Sequence, residues 1–178
     1  MAQAKKKKRF FDVEIPIIKK ETQMQAYELE ELDGRIINYD LTRFLKGKSA
    51  LFQLKIKSDG KELVAMPRQI KILPSFLRRM VRKGTDYVED SFSAECKDAT
   101  LAMKPLLVTR KKVPRKIRNA LRLKAREELS AYVKEKNSSA IFEEAVKNEL
   151  QRFLSVKLKK IYPLSLCEIR VLKVEKEK

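Results

Sequence analysis

Along residues 110–126, RKKVPRKIRNALRLKAR, nine of the seventeen side chains are Lys or Arg and none is acidic. Charge of one sign crowded into a short segment opposes a compact state by self-repulsion, so the segment makes physical sense against a polyanion. On a helix at about 100° per residue, Arg115, Arg118, Arg122 and Arg126 fall within a band of roughly 80°. Ile117, Leu121, Ala125 and Leu129 form a separate apolar stripe, so one stripe can pack while the other faces outward. Arginine suits phosphate because its planar fork donates two parallel hydrogen bonds. A merely solvated helix face mixes signs, since opposite charges at i,i+4 stabilise a helix and like charges destabilise it. The second half of this helix does mix them, through Glu127, Glu128, Lys134 and Glu135, and the first half does not. Arg110, Lys111, Lys112, Arg115, Lys116, Arg118 and Arg122 are therefore expected to meet nucleic-acid phosphates.

Three smaller groups could share that work. Arg78, Arg79, Arg82 and Lys83 crowd onto a short helical segment, PSFLRRMVRK, and are expected to contact RNA. Lys5, Lys6, Lys7, Lys8 and Arg9 form an N-terminal basic tail that can thread between phosphates. Arg43, Lys46 and Lys48 flank Gly47, where backbone can approach a phosphate closely. Phe10, Phe11, Phe52, Phe76 and Phe92 read as core, and no interleaved aromatic-basic strand pattern is present. The expected reader is thus one of backbone and shape, not of base identity.

Other chemistry is poorly supplied. With no histidine, the chain lacks the commonest general base and the commonest transition-metal ligand. Cys96 and Cys167 stand some seventy residues apart and cannot build a four-ligand zinc site. They read as small buried hydrophobes. The adjacent carboxylates Glu89-Asp90 and Glu127-Glu128 diverge in direction on a strand or helix, so neither makes an acid–base pair. Glycine-rich phosphate loops and Cys-x-x-Cys are absent. We expect no catalysis, no metal, no cofactor and no small-molecule substrate.

The elements that must position these residues are legible in outline. At 178 residues and 43% hydrophobic content the chain can bury a real core. A net charge of +18 points to nucleic acid first. No apolar run approaches the roughly 20 residues of a membrane-spanning helix, and the N-terminus lacks the apolar stretch of a signal peptide, so no membrane partner is expected. FFDVEIPII reads as an edge strand stopped at Pro16, Asp33-Gly34 as a turn, and IINYDL as a strand. Thr42 to Gly47 reads as a short helical turn. ALFQLKIK, Ser58-Asp59-Gly60 and KELVAM read as a hairpin interrupted at Pro67. Tyr87-Val88 with Ser91-Phe92-Ser93 is an imperfect strand and LAMKPLLVTRK another. A long helix starts at Pro114, and a second follows the capping cluster Asn137-Ser138-Ser139, with Glu143 and Glu144 in its first turn. A last strand follows Pro163. The sum is α+β, an antiparallel, barrel-like sheet with helices packed against it. The expected organisation is a basic tail over 1–9, one globular domain over 10–174 and a charged tail over 175–178.

Three motifs carry a resemblance. KIYPLSLCEIRVLKV, Lys160 to Val174, is similar to the closing motif of the eS-one (S-three-Ae) family of archaeal and eukaryotic small-subunit ribosomal proteins. LRRMVRKG, Leu77 to Gly84, looks like that family's leucine-arginine helix. Pro105 to Lys112 resembles its run into the long helix. Order and spacing match from about Phe10 to Val174, with Phe10-Phe11 standing where the family has a tryptophan-tyrosine pair. The resemblance implies a cytoplasmic, ribosomal location and a structural role in translation. It implies binding to small-subunit rRNA at the platform, near the mRNA exit and the rRNA 3′ end. It implies neighbouring platform proteins as partners, with mRNA close by. It also implies a β-barrel-like core.

Overall fold

The computed structural model describes residues 7–45, 47–58 and 62–177. These residues form nine strands and four α-helices in the order β1 (Arg9–Ile15), β2 (Lys20–Ala26), β3 (Ile36–Asp40), β4 (Ala50–Ser58), β5 (Leu63–Ile72), α1 (Pro74–Met80), β6 (Tyr87–Glu89), β7 (Phe92–Glu95), β8 (Ala99–Thr109), α2 (Arg115–Lys134), α3 (Ser138–Val146), α4 (Glu149–Leu158) and β9 (Leu164–Glu177). They group into two compact units, one from residues 1–39 and 53–68 and one from 40–52 and 69–178, with β4 and β5 contributing to both. The strand pairings are largely antiparallel, as expected, and among the described residues they do not close into a ring, so barrel-like describes the sheet only loosely.

In the first unit, β1 and β2 form an antiparallel hairpin from Arg9↔Ala26 to Ile15↔Lys20. Pro16 ends β1, and the turn puts Lys19 at φ 53°. Val13 and Ile15 alternate inward and are fully buried. β2, KETQMQA, has no apolar alternation to announce it, and the sequence reading passes over it. It is held by backbone pairing to β1. β1 also runs parallel to the start of β5 at Val13↔Leu63 and Glu14↔Val64. At Gly34, φ 73° lets the chain turn so that its amide reaches the Ile56 carbonyl at 3.0 Å.

In the second unit, β9 pairs with β8 from Ala99↔Glu177 to Thr109↔Leu164, and β6 and β7 both pair with β8. Three register shifts interrupt the long β8–β9 ladder. One falls at Pro105, which has no N–H to give the ladder. There Lys104 opposes Val171 and Pro105 opposes Ile169, leaving Arg170 as the extra residue of a bulge. The bulge explains a departure from strict alternation, since Ile169 and Leu172, three apart, are both buried.

α2 buries Leu121, Ala125, Leu129 and Val133 on one stripe, continuing the stripe read from the sequence. The second expected helix is split in two. Asn148 adopts φ 62° between α3 and α4, a left-handed conformation that ends one helix and that Asn tolerates better than most residues. The cap of α3 is also not local. Asp98 accepts both the Ser138 amide, at 2.8 Å, and its hydroxyl, at 2.5 Å. Burial pushes the Asp98 carboxyl up, but those two bonds outweigh it and hold the group below its ordinary value. With α3 starting at Ser138, its first turn has no acid. Glu144 instead accepts the Tyr132 hydroxyl at 2.9 Å and pairs with Lys136.

Other expectations shift. β5 runs through Pro67 to Ile72, and the turn of the hairpin before it lies mostly outside the described residues. The Thr42 segment is a turn rather than a helix, fixed by Asp40, which accepts the Thr42 amide and hydroxyl at 2.8 and 2.5 Å. Those bonds hold the Asp40 carboxyl below its ordinary value. Phe52, Phe76 and Phe92 are core, but Phe10 is 64% exposed.

Candidate nucleic-acid interface

The densest basic stretch sits on a fixed platform. Thr109, the last residue of β8, is fully buried. Its amide donates to the Asp86 carbonyl at 2.8 Å, and its hydroxyl oxygen accepts the Asp86 amide at 3.0 Å. The same oxygen lies 2.7 Å from the Lys111 carbonyl. The Asp86 carboxylate accepts the Val113 amide at 2.9 Å. These bonds clasp both ends of the loop between β8 and α2, and Val113 is buried beneath it. Arg110, Lys111 and Lys112 project from this clasped loop and are all exposed.

α2 then carries the run onward. Its first turn holds no acid and no side chain caps it. Arg115, Lys116 and Arg122 are exposed, and Arg118 is half-buried. Arg118 lies within roughly 60° of Leu121 around the helix, so its stem borders the apolar stripe. Its Nε is shut off from solvent with no hydrogen-bond partner among the described residues. Arg122 donates to Asn119 Oδ1 at 3.0 Å. Among the described residues, no carboxylate forms a salt bridge with any of the seven cations from Arg110 to Arg122. The mixed second half of α2 behaves differently, with Lys124 bridging Glu127 and Glu128 at 2.9 and 3.3 Å.

Arg115, Arg118 and Arg122 are brought together along a groove of about 330 Å³ whose other wall is β6, through Tyr87, Val88 and Glu89, with Asn119 between the arginines. Glu89 accepts Arg170 from the bulge at 2.8 Å. Of the adjacent acids weighed for catalysis, Glu89 is thus paired, Asp90 accepts the Ser91 amide, and Glu127 and Glu128 bind Lys124. No cluster of three potential metal ligands occurs among the described residues.

The remaining candidates divide. Phe76 is buried and anchors α1, leaving Arg78, Arg79, Arg82 and Lys83 exposed. α1 is shorter than expected, ending at Met80, and Arg78 and Arg79 complement the negative end of its dipole. Arg82 and Lys83 are four and three residues from Asp86, so chain length alone keeps them within about 15 Å of the residue that clasps the 109–113 loop. Arg43 is exposed on the turn after β3. Lys7, Lys8 and Arg9 are exposed, with Lys8 lying over the Tyr27 ring at 5.5 Å. Lys5, Lys6 and Lys46 lie outside the described residues.

Lys48 departs from the expected role. Its ammonium pairs with Glu168 and donates to Asn148 Oδ1 at 3.0 Å, with only 12% of the side chain exposed. Proximity to Gly47 suggested a surface cation. The actual partner is 120 residues away in sequence, a separation no local pattern reveals. Burial raises the Glu168 carboxyl above its ordinary value, and Lys48 pulls it back down.

Sequence reasoning missed the residues that hold the surface in place, Asp86 and Thr109, and the aromatic wall at Tyr87. Asp86 follows Gly84-Thr85 and reads as ordinary turn chemistry. Only the pairing of β6 with β8, Tyr87↔Val108 to Glu89↔Leu106, puts it beside the start of α2.

The model of the Ribosomal S3Ae family matches residues 2–178. The chain is similar to the small ribosomal subunit protein eS1 of Nanoarchaeum equitans, 28% identical over 178 aligned positions, with 93% of this chain and 87% of that protein covered. It is also similar to the small ribosomal subunit protein eS1 of Pyrobaculum neutrophilum, 26% identical over 157 residues that cover 85% of this chain and 71% of that protein. With the match running essentially end to end, through the clasped loop and both halves of α2, this chain belongs to the Ribosomal S3Ae family.

Proposed function

We propose that this chain is a structural constituent of the small ribosomal subunit, anchored by rRNA phosphates on the surface from Arg110 to Arg122. As a member of a ribosomal protein family it works on the ribosome, in the cytoplasm, and is not an enzyme. One observation carries the phosphate reading. Seven cations stand on a clasped loop and the first two turns of a helix, and among the described residues no acid neutralises them. Such charge stabilises the molecule only when a polyanion supplies the counter-charge. Arg78, Arg79, Arg82 and Lys83 extend the surface through their closeness to Asp86. Arg43, Lys7, Lys8 and Arg9 add exposed cations of their own, and Lys5, Lys6 and Lys46 belong to the same reading by sequence. Lys48 does not, because Glu168 holds it. The reading places the protein at the platform, near the mRNA exit and the 3′ end of the small-subunit rRNA, with platform proteins and mRNA as neighbours.

The test is sedimentation of small subunits from lysate through a gradient in about 0.5 M salt, with wild type and an Arg115→Glu/Arg118→Glu/Arg122→Glu variant. Wild type should travel with the subunit and the variant should stay at the top while keeping a wild-type melting curve. Wild type at the top would overturn the structural reading and leave a loosely held RNA-binding protein. If about eight phosphates are neutralised, the affinity of the isolated chain for rRNA should fall with a log–log salt slope of about −7.

A further inference from the structure

The groove between α2 and β6 is built differently from the rest of the basic surface. Here Arg115, Arg118 and Arg122 share a shallow, open depression of about 330 Å³ with Tyr87 and Glu89. Tyr87 is 53% exposed, on a strand only three residues long, so its ring is not held as core. Glu89 accepts Arg170 at 2.8 Å through one carboxylate oxygen. A carboxylate facing phosphates is repulsive and would weaken a pure phosphate site.

From this we infer that the groove takes one unpaired nucleotide of the RNA, its phosphate on the arginines, its base stacked on Tyr87 and its exocyclic amino group on Glu89. The proposal rests on the RNA-binding reading above and deepens it. The volume is at the low end of the range for ligand clefts, about 300 Å³ and upward, which suits a single extruded nucleotide and not a duplex. Unstacked bases are recognised by aromatic faces and by hydrogen bonds to their Watson–Crick edges, and a carboxylate accepts the cytosine amino group. Guanine and adenine carry an amino group too. Uracil has none, so the groove should disfavour it. At this one position the protein reads the base as well as the backbone.

The experiment measures binding of the full chain to an oligocytidine octamer and an oligouridine octamer of equal charge, and to a fully paired duplex. Tyr87→Ala should weaken binding of the oligocytidine by about fivefold or more, the usual cost of losing one stacking platform. It should leave duplex affinity unchanged. Tyr87→Phe should bind like wild type, which guards against a mere folding defect. Glu89→Ala should abolish the preference for cytidine over uridine. Equal losses on duplex and single strand in Tyr87→Ala, or no loss on either, would overturn the stacking role. Equal wild-type affinity for the two octamers would overturn the role of Glu89. Failure of the parent reading looks different, because Arg115→Glu/Arg118→Glu/Arg122→Glu would then leave binding of all three RNAs unchanged.

Discussion

The Asp86 carboxylate accepts the backbone amide of Val113 from 2.9 Å, across twenty-seven residues of sequence. One side chain on the approach to β6 thereby sets where α2 begins, and with it where Arg110, Lys111, Lys112 and Arg115 stand. Like charges that must converge on a polyanion repel one another in its absence, so a loop carrying three of them needs an attachment of this kind.

Asp86→Ala should cost about 1–3 kcal/mol of unfolding free energy, the usual penalty for leaving a partly buried amide without a charged acceptor. It should also weaken rRNA binding while removing no cation. Paired denaturation and binding titrations check this. Wild-type affinity in Asp86→Ala would show that the loop needs no clasp. Thr109→Val should act in the same direction, because it orphans the Asp86 amide.

The Lys48–Glu168 pair sets a pH dependence. Burial raises the Glu168 carboxyl, with Lys48 opposing, so the folded protein keeps this proton to higher pH than the unfolded chain. The group's contribution to stability is fully present below the ordinary value of 4.5 and is lost as pH rises through the folded value. Relative to Glu168→Gln, wild type should gain stability on acidification from neutral pH toward 4.5. Lys48→Met removes the opposing charge, so it should enlarge that gain and cost about 3 kcal/mol at neutral pH. Denaturation series at several pH values for the three proteins decide it. A flat difference between wild type and Glu168→Gln would show the carboxyl to be unperturbed.

Cys96 is buried as expected and Cys167 only half-buried, yet both should be inert in the native state. Burial, then the neighbouring Glu168, pushes the Cys167 thiol up to about 12, with Lys48 pulling the other way. Burial also raises Cys96. At pH 8 neither forms appreciable thiolate, the reactive species. An aromatic disulfide reagent should therefore label neither thiol until denaturant is added, then both. Rapid labelling of the folded chain would show that one of these sites opens.

Asn148 is strained by its left-handed backbone and secured by Lys48. Asn148→Ala should destabilise by about 1–2 kcal/mol, since it incurs the left-handed penalty and loses the bond. Asn148→Gly should lose less, since glycine takes that conformation freely. Equal losses for glycine and alanine in thermal unfolding would show that the bond to Lys48, which both variants lose, and not the backbone, dominates there.

Features that depend on near neighbours are legible in the sequence alone. The α2 stripe of Leu121, Ala125 and Leu129, the end of β1 at Pro16 and the alternation of Phe52, Leu54 and Ile56 follow from periodicity and backbone chemistry. The one-sign charge of the first half of α2 is visible in the same way, because no acid intervenes within i±4. Which cations face outward, and what faces them, follows from contacts between distant segments. Lys48 and Arg118 look alike in sequence, yet one is neutralised by Glu168 and the other borders a groove opposite Tyr87. β2 has no apolar signature because its backbone pairing to β1, and not side-chain burial, holds it. The bulge at Arg170 and the clasp at Asp86 arise from pairings between strands far apart in the chain. A one-dimensional pattern carries the propensity of each segment, but the partner of a buried charge, a bulged residue or an edge strand is fixed only when distant segments meet.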